Sequence, residues 1–287
     1  MCSQYYGLHF FKQVKINRLP GVLCICRKDE LAKKHAMFSN IFGAKEFNFV
    51  PETFSIPSER EEALQRMVES QIPVISNMRE IRGLKRQNLW IVKPCNLSGG
   101  DGIHLIDNIF DMPTVDEMLK DVNQSIIQKY VANPLLINGF KFDMRLYVLL
   151  TSIDPLMIYI YQDGLARFAT EPYSTNSMNI KNNCIHLTNA KVNKCSTEYF
   201  AENEDHFNGF KWTLSMLHAY FKEEGIDWDC IWPRIKDVVR KTILLGYDTM
   251  KKECIGLKSR YNCYKLLGFD IMLDENLKPW VLEVRLS

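Results

Sequence analysis

The sequence predicts an α+β chain whose sheets are built from antiparallel strands, and three stretches carry that prediction. Residues 267–286 place two apolar runs on either side of a polar, proline-containing break, Asp274-Glu275-Asn276-Leu277-Lys278-Pro279, which reads as a hairpin loop. Residues 141–149 alternate strictly and lead through a strand at 157–161 and a turn at Asp163-Gly164 to Arg167-Phe168-Ala169, so 146–169 reads as an antiparallel meander. Residues 209–224 and 231–252 repeat apolar side chains at helical spacing. Trp212, Met216 and Tyr220 mark the inner face of the first, and Ile235, Val238, Val239 and Ile243 that of the second.

Composition narrows the function classes. At 287 residues, 46% hydrophobic and 24% charged, the chain has the material for a sizeable core, and disorder is not expected. A net charge of +2 argues against a strongly nucleic-acid-binding protein. The nine cysteines are scattered without zinc-type pairs and read as reduced thiols in a cytosolic setting. The first residues do not form a signal peptide, and no apolar run reaches the ~18 residues a membrane span needs, so no membrane partner is expected.

Taken in order, residues 22–26 are a candidate strand. Residues 27–29 open a helix over 30–42, where Lys28 is either a phosphate contact at a helix N-terminus or a solvated lysine. Residues 46–49 suggest a short strand. Ser58 and Glu61 form a capping box for a helix over 59–70, with Glu59, Arg60, Glu61 and Glu62 on a solvated face. The basic stretch 79–86 is a solvated loop or a contact for an acidic partner. Residues 89–94 form a buried strand ending at Lys93 and Pro94. Next come a glycine-rich turn with Gly99, Gly100 and Gly102 and a second strand from Ile103. Such a hairpin is often only a turn, yet its backbone N–H groups can lie over phosphates, with Lys93 supplying a point charge. No Walker A pattern or Rossmann helix follows. His104 reads as structural or surface. Residues 125–131 form a strand carrying Gln128 and Lys129. Lys141, Asp143 and Arg145 share one strand face, which is either a solvated edge or a lined site. Residues 171–184, rich in Asn, Ser and Tyr, read as a mobile segment before His186-Leu187-Thr188-Asn189.

In the last hairpin, pairing Leu273 with Trp280 sets Asp270 opposite Glu283 on one sheet face. Two facing carboxylates repel unless a cation lies between them. Mg²⁺ suits such a pair, since it takes one or two carboxylates plus phosphate oxygens. Arg285, two residues on, projects to the same face, so a structural ion cluster is the competing reading. Ending at Ser287, directly after a strand, reads as a truncated C-terminus.

Several stretches taken together resemble the tubulin-tyrosine-ligase-like family, most closely its tubulin polyglutamylase branch. They are WIVKP, IIQKYVANPLLINGFKFDMRLYVLLTSIDPL, DGLARFAT, HLTN, VNK and GFDIMLDENLKPWVLEV, in that order, and they span most of the chain from Gly21 onward. The resemblance implies an ATP-grasp fold. Residues 1–25 would be a remnant of an N-terminal domain, 26–131 a central domain, and 132–287 a C-terminal domain truncated at its end. It implies ATP- and Mg²⁺-dependent ligation of free L-glutamate onto glutamate side chains in the acidic tails of tubulin, on microtubules in the cytoplasm, with cilium or basal body as further settings. In that reading Lys28, Lys93 and Lys141 meet the phosphates beneath the Gly99, Gly100 and Gly102 hairpin. Gln128, Lys129, Tyr130 and Val131 frame the adenine, and Asp143 lies near the ribose. Arg145 and Asn189, with Thr188 beside it, line the reacting phosphate. Arg167 and Lys194 hold the incoming glutamate, since guanidinium bonds carboxylate bidentately. Asp270 and Glu283 hold Mg²⁺.

This chain departs from the family pattern in three places. Gly99 stands where the family has Arg, and Arg285 where it has Asn. Ala190 and Lys191 replace an aromatic and a small polar residue. Arg285 offers only donors and a positive charge to a site that would hold a metal. A catalytically inactive homologue that binds tubulin or nucleotide without ligating is therefore the alternative.

Overall fold

The structure, a computed structural model, describes residues 15–76, 88–107, 124–176, 179–193, 210–255, 257 and 262–287, with side chains described outside 71–76. The larger sheet contains β1 (Ile16–Asn17), β6 (Leu136–Ile137), β7 (Phe140–Ile153), β8 (Leu156–Phe168), β9 (Lys211–Thr213), β10 (Cys263–Leu273) and β11 (Pro279–Leu286). Its main path runs β1-β10-β7-β8-β9. β11 pairs with β10 and β6 with β7; every pairing is antiparallel except β1 with β10. The smaller sheet runs β2 (Thr53–Ile56), β5 (Ser125–Lys129), β3 (Trp90–Pro94), β4 (His104–Ile106).

The alternation in β7 becomes burial. Phe142, Met144, Leu146, Val148 and Leu150 are sealed in the main core with Phe269 and Ile271 of β10. Each such side chain contributes about 1.5–3 kcal/mol by leaving water. Helix α7 (Trp228–Cys254) covers this face with Ile235, Val238, Val239 and Ile243, as its helical period predicts. Asp227 caps its N-terminus by accepting from the amides of Asp229 and Cys230. Helix α6 (Leu214–Glu223) starts on a Thr213 cap and is followed by Gly225 at φ 71°, which stops it. In the smaller sheet one face packs on α3 (Arg60–Ser76) through Met67, Trp90, Val92 and Ile127. The other face groups Leu89, Ile91, Leu105 and Tyr130 with Ile180 and Leu187.

The structure corrects several local expectations. Residues 22–26 form no strand: Leu23–Cys26 is a one-turn helix, α1, entered through Gly21 at φ 75°. It packs so closely on α7 that a Cβ at Gly246 would lie 2.8 Å from Cys24 Sγ and Ile25 Cγ2. Burial against a helix outweighs β-propensity there. Helix α2 (Lys28–Phe42) begins two residues before the expected start. Residues 46–49 are turn, with Phe47 and Phe49 buried as anchors. The Ser58 and Glu61 box does not form. Glu59 Oε2 instead takes the Ser55 amide at 2.5 Å, while Glu61 pairs with Arg60 in solvent. Asp163-Gly164 is no turn: β8 runs through it, and Asp163 Oδ1 accepts the Leu214 and Ser215 amides at the start of α6. Trp212 lies on β9, not on the helix, and its ring stacks obliquely on Tyr220 5.5 Å away. Residues 171–176 and 179–184 are tied down by Tyr173 Oη to Ala132 O at 2.8 Å and Asn182 Nδ2 to Glu171 Oε2 at 2.7 Å. The stretch 79–86 lies outside the described residues.

The last hairpin arrives at the expected pair by another route. Its turn pairs Leu273 with Pro279 and Met272 with Trp280, one residue off the sequence reading. A bulge at Asp270/Ile271 then leaves Leu282 unpaired and restores Asp270 opposite Glu283.

Candidate functional site

A cleft of about 700 Å³, its open mouth included, runs between the two sheets. One wall is Ile91 and Lys93 of β3, Gln128 and Lys129 of β5, and Tyr130 and Val131 beyond it. The other is Lys141 and Asp143 of β7, Asp270 and Met272 of β10, and Glu283 and Arg285 of β11. His186, Leu187, Thr188 and Asn189 border it, and Lys28 enters from the first turn of α2. The helices α4 (Asn183–His186) and α5 (Ala190–Asn193) flank that border.

Three lysines meet the cleft differently. Lys28 Nζ donates to Leu97 O at 3.1 Å and pairs with Glu283 at 3.3 Å, tying the glycine-rich hairpin to β11. Lys93 Nζ donates to Gln128 Oε1 at 2.7 Å, and burial lowers its pKa to about 8. Lys141 is sealed among neutral groups: Nζ donates to Tyr130 Oη at 2.9 Å and His186 O at 2.8 Å, and it lies 4.4 Å from the Tyr130 ring centroid. Burial, against a partial offset from Asp143, brings its pKa down to about 7. The chain continues from Tyr130 Oη to His186 Nδ1 at 3.0 Å, and His186 Nε2 faces Asn179 O at 3.3 Å. Nε2 must then carry the hydrogen, and Tyr130 donates to Nδ1. Burial and Lys141 together lower His186 to about 4, so it stays neutral near pH 7.

The floor is an ion cluster. Strand register places Arg145 of β7 and Glu283 of β11 on either side of Asp270, and Arg167 of β8 beside Asp143. Arg167 grips Asp143 with two bonds of 2.7 and 2.5 Å and reaches Asp270 at 3.0 Å. Arg145 grips both Asp270 oxygens, at 2.9 Å through Nη2 and closely through Nε. Arg285 bonds Glu283 at 2.7 and 3.0 Å and lies 3.5 Å from Asp270. Burial by itself would raise the Asp270 carboxyl, but Arg145, Arg167 and Arg285 outweigh it and hold the group below its ordinary value.

All four oxygens of Asp270 and Glu283 therefore already face a guanidinium or an ammonium. In this arrangement the pair does not fit Mg²⁺, which needs open carboxylate oxygens. No group of three metal-binding side chains occurs among the described residues.

The glycine-rich turn joins β3 to β4 as an antiparallel hairpin, with Gly99, Gly100 and Gly102 at φ 75°, 97° and 66°. A Cβ at Gly100 would lie 2.6 Å from Val192, so the hairpin presses on α5 beside Asn189. Gln128 is committed on both sides, to Lys93 and, at 2.8 Å, to Thr53. The backbone beside it is engaged as well: the Lys129 amide donates to Glu52 O at 2.7 Å and the Tyr130 amide to Leu89 O at 3.0 Å. Lys129 itself sits 4.7 Å from the Trp90 ring centroid and bonds Asn88. Lys194 lies outside the described residues. Sequence reasoning missed His186 as the anchor of Lys141; HLTN gave no spacing that could reveal it. It also missed Thr53, which orients Gln128 from a neighbouring strand.

A family profile described as the tubulin-tyrosine ligase family matches residues 9–287. The chain belongs to that family. Its relatives include Tubulin monoglutamylase TTLL4 of Mus musculus, 42% identical over 95% of this chain and 21% of the relative. Tubulin polyglutamylase TTLL5 of Mus musculus is 38% identical over 95% of this chain and 19% of the relative. Probable tubulin polyglutamylase TTLL2 of Homo sapiens is 37% identical over 95% of this chain and 42% of the relative. The chain thus spans about a fifth of the first two. Among the described residues no helix is long and apolar enough to cross a membrane.

Proposed function

We propose that this chain is a ligase that uses ATP to join glutamate to glutamate side chains of tubulin tails, with the nucleotide held between the two sheets as in an ATP-grasp fold. Relatives named as tubulin monoglutamylase and polyglutamylases at 37–42% identity support the substrate class. The observation that carries the nucleotide reading is the cleft itself: Lys28, Lys93 and Lys141 all line it, and Lys28 Nζ ties it to the glycine-rich hairpin through Leu97 O at 3.1 Å. Read as domains, residues 26–131 supply the hairpin wall and residues 132–287 the charged floor.

The chemistry asks for such a set. A carboxylate acylates poorly, so ATP converts it to an acyl phosphate, which the amine of the second amino acid displaces. Both steps move negative charge on phosphoryl oxygens, and preorganised cations stabilise it. Lys93 and Lys141 would hold the phosphates, Arg145 and Asn189 would face the transferred group, and Arg167 would offer its guanidinium to the incoming carboxylates. Any Mg²⁺ would enter on the nucleotide's own phosphate oxygens, because the ligands expected for it are covered. Tubulin and free L-glutamate are the proposed partners, and microtubules the proposed location.

Labelled glutamate supplied with Mg-ATP and taxol-stabilised microtubules tests the reading. Incorporation above a no-ATP control is the expected result; none, with ATP still bound, would favour the non-ligating homologue. Arg285 on the carboxylate pair is the observation behind that second reading.

A further inference from the structure

We infer that this cleft binds the nucleotide as a free polyphosphate, with Arg285 standing as the fixed cation that a divalent metal would otherwise supply. The inference deepens the reading of the cleft as a nucleotide site, and rests on it.

Charge balance is the first ground. Lys28, Lys93, Lys141, Arg145, Arg167 and Arg285 line the cleft or pair with residues that do. Among the described residues the carboxylates lining the cleft are Asp143, Asp270 and Glu283. A metal ion entering the cleft would meet net positive charge, whereas a triphosphate would meet its complement. The low polarity of the surroundings strengthens that preference.

The second ground is geometry. Arg285 stands between the two carboxylates, bonding Glu283 through both Nε and Nη2 while its Nε lies 3.5 Å from Asp270. A cation bridging Asp270 and Glu283 would sit in that same space. Arg285 is held there from β11, two residues from Glu283 on the same sheet face, and its side chain keeps 24% exposure toward the cleft. Its Nη1 has no carboxylate partner among the described residues, so a phosphate oxygen can be bonded without breaking the Glu283 pair.

The third ground is Lys93 and Lys141. Neither has a carboxylate within bonding distance among the described residues; Lys93 is half-buried and Lys141 buried, both against neutral groups. An arriving phosphate gives each its counter-ion directly. Mg²⁺ bound to those oxygens would draw off part of that charge.

Calorimetric titration of ATP, once with Mg²⁺ in excess and once with EDTA, tests the inference on wild type, Arg285→Asn and Arg285→Lys, each first checked by thermal melting. Wild type should bind ATP in EDTA within about threefold of its affinity with Mg²⁺. Arg285→Asn should lose about tenfold or more when Mg²⁺ is removed, the size of one lost charge contact, and Arg285→Lys, which keeps the charge but loses the guanidinium fork, should lose less than Arg285→Asn. A wild type that loses tenfold in EDTA overturns the inference. So does an Arg285→Asn variant no more metal-dependent than wild type. Absence of ATP binding in both conditions would remove the nucleotide reading itself. Absence of glutamate transfer alongside metal-independent binding would remove only the ligase reading.

Discussion

The two faces of β7 are made from one alternating run of residues and solve opposite problems. Phe142, Met144 and Leu146 vanish into a core where only shape matters. Lys141 and Asp143 line the cleft, Arg145 on the same strand face grips Asp270 at its floor, and each must find a partner. The apolar face stabilises the protein by leaving water. The charged face gains little net stability, since desolvation consumes much of what the pairing returns. The difference shows where the fold carries function: the charged face is retained at a cost the apolar face does not bear.

The largest effect should come from breaking the pairing. Asp270→Ala leaves Arg145 and Arg167 facing each other without their shared carboxylate, and should cost about 3–5 kcal/mol in urea unfolding. A loss below ~1 kcal/mol would mean that the cluster is solvated. On the other face, Phe142→Ala should cost a similar ~3–5 kcal/mol through a cavity, yet leave ATP affinity of the folded protein unchanged. A parallel fall in affinity would show that the two faces are coupled. Lys141→Met sharpens the contrast further. It should raise stability by about 1–2 kcal/mol, because a buried ammonium without a carboxylate is replaced by an apolar chain.

How far these contrasts could be read beforehand depends on the kind of signal. The alternation of 141–149 and the helical period of α7 are local patterns, and both faces fell where the pattern put them. The Asp270–Glu283 opposition was legible too, although the turn was misjudged by one residue. The bulge that leaves Leu282 unpaired has no signature in Trp280-Val281-Leu282. Residues 22–26 look like a strand and fold as a helical turn because Gly246, more than 200 positions away, admits Cys24 and Ile25. The same holds for the floor of the cleft. That Arg145 belongs to Asp270 and Arg167 to Asp143 is a matter of register between three strands, which no single stretch encodes.

The remaining contrast is a pH dependence. Burial holds the folded pKa of Lys141 near 7, below the ordinary lysine value of 10.5, so between those limits the unfolded chain binds the extra proton. Stability from this group therefore rises with pH above about 7, and the penalty is complete below it. The stability advantage of Lys141→Met over wild type should shrink between pH 7 and pH 9 when both are unfolded in urea. A constant difference would place the Lys141 pKa at its ordinary value.

The claim beneath all of this is that the cleft between the sheets holds ATP through its buried lysines. Titrating ATP into wild type and Lys141→Met by calorimetry tests it most directly. One saturable site in the wild type, weakened at least tenfold in a variant that melts no lower, is the predicted result. Equal affinity in the two proteins would contradict the account.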